Sequence, residues 1–343
     1  MDNCGGLRRR AHAVGMVRRP AELPAALPWP VFSRAEALRA GVPADRLRRP
    51  DLRRLRRGLY ARRDAPLEEV HIAGALCRHD PDLVIVGLSA ARLLKIPLTR
   101  HLESWSPEIP VEVASLRARG RSDGVIRWHE LCLTSADIDS GRYHHIPSGL
   151  TSAMPMTTRA RTWRDLAVHL SLSALIAAGD HLLRIPRPGL EGRKQPWCTR
   201  AELRDAATGR HAAVLRAALD RMRVGADSPT ETTLRLAFLD AGLPEPQINV
   251  PIRDPLNEAG HSPDFQWPQF RLCAEYEGTG HNDPQQVARD IRRARAVKSA
   301  GFTEIRLYRD DLRQGCAPAI RILREELRAR GWRPGTPAGG ERS

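Results

Sequence analysis

Three acidic residues in the last third of the chain, Glu231, Asp264 and Glu275, have a placement that suits metal chemistry. Asp264 stands in the segment SPDF, on a strand read over Ser262–Trp267. Glu275 follows 11 residues later in LCAEYEG, on a strand read over Leu272–Glu277. Acids on two strands of one hairpin can converge at one end of a sheet. Glu231 lies on the helix that opens the region, Ser228–Ala241. Several carboxylate oxygens at close range are what a hard divalent cation needs, with water in the remaining positions. Such an ion lowers the pKa of bound water and offsets charge building on a phosphate. Glu275 shares a strand face with Cys273, and an acid on such a face requires a ligand or a hydrogen-bond partner. Plainer roles stay open for each residue. Ser228 and Glu231 also have capping-box spacing, Asp264 could be a turn acid, Glu275 and Glu277 could lie on a solvated face, and His281 is a loop histidine.

The elements that would position these residues read in the order α-β-β-β-α-β-α. The further members are a strand over Gln247–Ile252, a long helix over Asp283–Ala300, a strand over Thr303–Tyr308 and a final helix over Gln314–Arg330. The head of the chain has a different outline. Ser33 and Glu36 form a capping box for a helix over Arg34–Ala40, which ends at Gly41. A second short helix runs from Pro43 to Arg49. Strands over Leu52–Leu55 and Leu59–Arg62 flank Arg56-Arg57-Gly58 as a hairpin. Helix, helix and basic hairpin outline a winged helix-turn-helix. Between head and tail, helices are expected over Glu68–His79, Ser89–Leu94, Thr158–Leu170 and Ser171–Leu183, and strands over Ile109–Val113 and Val125–Trp128.

The chain has 343 residues, enough for two or three domains, and its 41% hydrophobic and 28% charged composition excludes a mostly disordered or collagen-like protein. Aromatics are 5%, so the cores must be aliphatic. The best apolar run, Leu83 to Ile96, is broken by Ser89, Arg92 and Lys95 and falls short of the roughly 20 residues of a membrane span. The first 20 residues lack the apolar core of a signal peptide, so a cytoplasmic protein without membrane contact is expected. The formal charge is +15, carried almost wholly by arginine, as codon choice in a GC-rich genome produces. Its distribution says more. Residues 1–64 carry 16 arginines against 6 acids, whereas residues 226–332 carry 15 basic against 16 acidic residues. A phosphate-facing surface is therefore expected at the head. The six cysteines lack zinc or disulfide spacing and read as single buried thiols; His144 and His145 read as loop.

Two resemblances extend these readings. The run FSRAEALRAGVPADRLRRPDLRRLRRGLYARR resembles the N-terminal winged helix of type IV toxin–antitoxin antitoxins of the AbiEi-like kind, and RTWRDLA at 161–167 resembles a segment that follows it there. The resemblance implies double-stranded DNA as a partner, with Arg46, Arg48 and Arg49 in a major groove and Arg53, Arg54, Arg56 and Arg57 on the backbone. It also raises a toxin or regulatory partner. The segments SPTETTLRLAFLDAGLPEPQINVPI, SPDFQWPQFRLCAEYEGTGH, ARDIRRARAVKSAGF and IRLYRDDL resemble, in order, the PD-(D/E)xK nuclease superfamily, in the branch related to very-short-patch-repair endonucleases.

That resemblance implies a restriction-endonuclease-like α/β sandwich holding Mg²⁺ or Mn²⁺. Asp264 and Glu275 are the implied metal ligands, and Glu231 completes the site. His281 is implied to shuttle a proton or contact phosphate, with Asp290 and Arg293 on a charged helix face behind. The superfamily's lysine position holds Glu277. Either the metal and His281 take over its role, or Glu277 helps bind a second metal, or catalysis is weak or absent. The division expected is a disordered leader (1–27), a winged helix-turn-helix (28–66), a mixed α+β scaffold (67–190), a linker with a helix (191–225), the nuclease-like domain (226–332) and a disordered tail (333–343). The expected function is metal-dependent DNA endonuclease. The alternative is an antitoxin-like repressor or DNA-binding module with a degenerate nuclease fold. Oligomeric state stays open.

Overall fold

Local signals build the N-terminal unit. In the computed structural model, which describes residues 21–117, 119–145, 148–187, 191–254, 257–277 and 293–335, strand β1 (Val31–Ser33) runs directly into helix α1 (Arg34–Arg39). The capping box is present: Ser33 Oγ accepts from Glu36 N at 3.1 Å, and the Glu36 carboxylate accepts from Ser33 N at 2.7 Å. Strands β2 (Leu52–Arg56) and β3 (Leu59–Arg62) form the hairpin, turned at Gly58 with φ +81°, and the antiparallel sheet has the order β1-β3-β2.

Two expectations are corrected here. The helix expected over Pro43–Arg49 is one 3₁₀ turn, Arg46–Arg48. Pro50 disfavours helical backbone in the residue before it, and Arg49 is extended, with φ −70° and ψ 150°. The leader expected over 1–27 is ordered in its last part, where Leu27 is buried in the core with Phe32 and Leu59. Residues 1–20 and the end of the expected tail, 336–343, lie outside the described residues.

The middle of the chain carries α2 (Glu69–His79), β4 (Leu83–Ile85), α3 (Gly87–Leu93), α4 (Arg100–Glu103), β5 (Val111–Ser115) and β6 (Ile126–Trp128). There follow β7 (Ile138–Asp139), β8 (Arg142–His145), β9 (Leu150–Ala153) and β10 (Met156–Thr157). A mixed sheet has the order β6-β5-β4-β10-β7, and β8 and β9 pair by themselves. Period-two burial gives the sheet two apolar faces. Leu83, Ile85 and Val113 join the core that contains Phe32 and Leu59, while Val84, Val86 and Ala114 pack with Leu131 and Leu133. His144 and His145 lie on β8, not in a loop, and His145 is buried.

Helices α5 (Arg159–Asp165), α6 (Leu172–Leu183), α7 (Arg200–Ala206) and α8 (Ala212–Arg221) share a core around Trp163 and Leu175. Thr158 and Ser171 cap α5 and α6 through their hydroxyls. The helix expected over Thr158–Leu170 is α5 followed by a 3₁₀ turn, Leu166–Val168.

The last unit contains α9 (Pro229–Asp240), β11 (Gln247–Ile248), β12 (Ile252–Asp254), β13 (Asn257–His261), β14 (Phe265–Trp267), β15 (Leu272–Glu277), α10 (293–299), β16 (Thr303–Tyr308) and α11 (Arg313–Ala329). The sheet has the order β11-β14-β15-β16, with β14 antiparallel and β16 parallel to β15. Alternation on β15 sends Leu272 and Ala274 toward Phe238 and Leu323, and Cys273 toward Ile252 and Val297. Helices thus cover both faces. The strand expected over Gln247–Ile252 is divided by Asn249, at φ +52°, and an extra hairpin, β12–β13, follows it. The start of α11 passes through left-handed backbone at Gln314, Gly315 and Cys316, and regular helix follows with Pro318 in its first turn. Of the cysteines, Cys77, Cys198, Cys273 and Cys316 are buried free thiols, but Cys132 is exposed, and Cys4 lies outside the described residues. No helix among the described residues is long and apolar enough to cross a membrane. The molecule is a multidomain α/β protein with several helices and sheets.

Candidate functional site

Strand register assembles the acids. Phe265 pairs with Ala274, so Asp264, one residue before β14, stands beside Glu275. The Asp264 carboxylate accepts a hydrogen bond from Tyr276 N at 2.8 Å. On the other edge of β15, Cys273 pairs with Glu304 and Glu275 with Arg306. Glu275, Glu277, Glu304 and Arg306 therefore share the face that Cys273 occupies deeper in the sheet. His261, at the end of β13, reaches this face: its Nε2 is 3.2 Å from the Glu275 carboxylate and 3.9 Å from that of Glu304. One ligand atom from each of His261, Glu275 and Glu304 lies within 4.8 Å of the others, a metal-ligand cluster in the making.

Glu231 joins the same neighbourhood from the first turn of α9. Ser228 Oγ caps the helix by accepting from Glu231 N at 3.2 Å. The expected reciprocal bond takes another form. The buried Glu231 carboxylate accepts from Asp227 N at 2.9 Å, from the Ser228 hydroxyl at 2.8 Å and from Asn249 Nδ2 at 2.7 Å. Burial raises its pKa. Burial also lifts the Asp264 carboxyl, and the negative charges of Glu231 and Glu275 push the same way, to about 7, against the Tyr276 N–H and Arg293. Asp264 thus lies close enough to Glu231 and Glu275 to feel the negative charge of both. Burial likewise holds the Cys273 thiol at about 12, so it stays protonated beside the acids.

Arginine supplies the compensating charge. Arg293, on α10, contacts Glu275 at 3.0 Å, Glu304 at 3.3 Å and Glu277 at 3.6 Å. Arg306 contacts Glu304 at 3.2 Å and Glu277 at 3.7 Å. The resemblance implies Arg293 behind the site; it reaches into the acids instead. His261, Glu304, Arg306 and Asn249 were not anticipated. Glu304 and Arg306 alternate on TEIRLY, a signal that becomes legible once β16 is paired with β15. His281 and Asp290 lie outside the described residues. The donor set, one imidazole nitrogen and two carboxylates, is one that a divalent ion can take.

The N-terminal arginines divide into two groups. Arg46 is committed to the fold: its guanidinium grips Asp51 at 2.6 and 2.9 Å and donates to Ala21 O, and its side chain is 12% exposed. Arg56 pairs with Asp123 at 3.2 Å. Arg48, Arg49, Arg53, Arg54 and Arg57 are exposed. Arg54 donates weakly to Arg56 O at 3.4 Å and Arg53 acts electrostatically on Glu108, but among the described residues the side chains of Arg48, Arg49 and Arg57 have no hydrogen-bond or ion-pair partner.

Among known proteins, the chain is similar to two uncharacterized proteins of Mycobacterium tuberculosis, from two strains of that organism. Each match is 33% identical over 189 residues, which is 53% of this chain. The chain spans 64% of the length of these curated relatives. No protein-family description matches the sequence, and no solved structure matches it.

Proposed function

We propose that the chain is a DNA-binding protein whose C-terminal sheet cleaves phosphodiester bonds in a metal-dependent reaction, in the manner of the PD-(D/E)xK nucleases it resembles. The observation that carries this reading is the convergence of Asp264, Glu275 and Glu231 at one end of β14–β15, with His261 and Glu304 at ligand distance from Glu275. Glu275, His261 and Glu304 would hold the ion, with Asp264 beside them. When bound, a divalent ion supplies Lewis acidity to water and to a phosphate oxygen. The protein's own groups do the rest. Tyr276 N orients Asp264, and Arg293 brings in the positive charge that Glu277 cannot offer at the superfamily's lysine position. The exposed arginines of the head would hold the duplex by its phosphates.

A second reading has its own support. Arg293 and Arg306 already neutralise Glu275, Glu277 and Glu304, which is how a retired site can stay stable. The protein would then be an antitoxin-like repressor, with a toxin or regulatory partner. A plasmid-nicking assay with Mg²⁺ and then Mn²⁺ separates the two. Nicking by the wild type that disappears in Asp264→Ala and in Glu275→Ala supports the nuclease. Three inert proteins that still shift a DNA duplex on a gel support the regulator.

A further inference from the structure

The acids have a support that reaches them from outside the C-terminal unit. Asn249 sits at the break between β11 and β12 with φ +52°, a left-handed backbone that asparagine tolerates better than most residues. Its backbone N–H donates to Asp264 O at 3.2 Å. Its side-chain amide has three partners. Nδ2 donates to Glu231 Oε2 at 2.7 Å and to Gly225 O at 2.8 Å, and Oδ1 accepts from Arg187 at 3.1 Å. A flipped amide would set its oxygen against the oxygens of Glu231 and Gly225 and leave the arginine facing an NH₂ group, so the three partners fix one orientation. Arg187 comes from the segment after α6. It also ion-pairs with Asp227, whose backbone N–H is the other donor to Glu231 Oε2. One guanidinium therefore restrains both residues that donate to that oxygen.

We propose that Asn249 is a positioning residue for Glu231 and Asp264, and that Arg187 sets Asn249, so that the segment following α6 tunes the cation affinity of the C-terminal acids. The inference rests on the metal reading above. Hydrogen bonds to a metal ligand typically alter metal affinity by about 10–100-fold, and Glu231 and Asp264 stand beside the ligands rather than among them, so the lower end of that range is expected. A purely structural strap would act on folding alone.

The test is Mn²⁺ binding to the full-length chain, followed by the paramagnetic resonance signals of the free and bound ion. Asn249→Asp keeps the shape and the acceptor for Arg187 but replaces the donor to Glu231 with an acceptor. It should weaken Mn²⁺ binding by about tenfold or more and broaden the bound-ion signal. Arg187→Ala, at a half-exposed side chain, should weaken it in the same direction by less. Arg223→Ala breaks the Arg223–Glu245 pair at the same junction without touching Asn249, and should bind as the wild type does. If Asn249→Asp fails to fold, Arg187→Ala decides, and wild-type affinity there overturns the proposal. If wild type binds Mn²⁺ and both variants match it, positioning by Asn249 is wrong while the metal reading stands. If the wild type binds none, both fall.

Discussion

Asp264 carries the most informative single perturbation, a carboxyl that keeps its proton to about pH 7. Its cause is burial first and the charges of Glu231 and Glu275 second. Because the folded pKa lies above the unfolded one, the native state holds a proton that the unfolded chain has released. Stability should therefore fall as pH rises from about 4 to about 7, with a slope approaching 1.4 kcal/mol per pH unit for one proton. Urea melts at half-unit steps should show the decline in the wild type and a flatter profile in Asp264→Asn; equal slopes would mean that Asp264 titrates as an ordinary carboxyl. The neighbouring Glu231, also raised, makes the transition broader than that of one group. Asp264, Glu275 and Glu231 could be found in the sequence because hairpin register and a helix start bring acids together by local rules. His261, Glu304 and Asn249 could not, since each meets the site across a loop or a parallel strand pairing that local spacing does not encode.

At the scale of elements, local chemistry explains most of what was legible. The capping box at Ser33, the hairpin at Gly58 and the alternating strands β15 and β16 were read at or near their observed bounds. The losses share a cause, which is tertiary context overriding short signals. Strands β7 and β10 have two residues each, too few for a period to register, and Pro50 reduces a helix-like run to one turn. Nothing local announces the junction of α6 and α9 either. There Asp180, with no exposed surface, accepts from Arg223 N at 2.7 Å, from the Thr232 hydroxyl at 2.9 Å and from the equally buried Arg235 at 2.8 Å. Removing one partner of a buried pair strands the other charge, so Asp180→Ala should cost about 3–5 kcal/mol. Replacing both, with Asp180→Leu and Arg235→Met, should recover much of that loss, because two desolvated charges disappear together. Chemical denaturation of the three proteins checks this, and a double variant no more stable than Asp180→Ala would show that the hydrogen bonds to Arg223 N and Thr232 dominate.

At the scale of the whole molecule, charge is segregated: the arginine excess lies at the head, while the unit with the acids is nearly balanced. On the proposed nuclease reading, a site without surplus positive charge would need its affinity for a polyanion from elsewhere, and the exposed Arg48, Arg49 and Arg57 would provide it. The 3₁₀ turn in place of a second helix weakens the case for base reading in a major groove, since no helix of useful length carries these arginines. Contact with phosphates is the simpler role, and it has a thermodynamic signature. Each phosphate neutralised on duplex DNA contributes about −0.9 to the slope of log K against log salt. The triple variant Arg48→Ala, Arg49→Ala, Arg57→Ala should therefore lose roughly three units of slope between 50 and 200 mM salt. Its melting temperature should stay near that of the wild type, because no partner among the described residues is abandoned. Arg46→Ala should do the reverse, lowering the melting temperature through the loss of Asp51 and Ala21 and leaving the slope nearly intact. Fluorescence anisotropy of a labelled duplex over that salt range, beside thermal melts, measures both. A slope unchanged in the triple variant would move the polyanion contact off the head, and with it the argument that one end of the chain binds what the other end cuts.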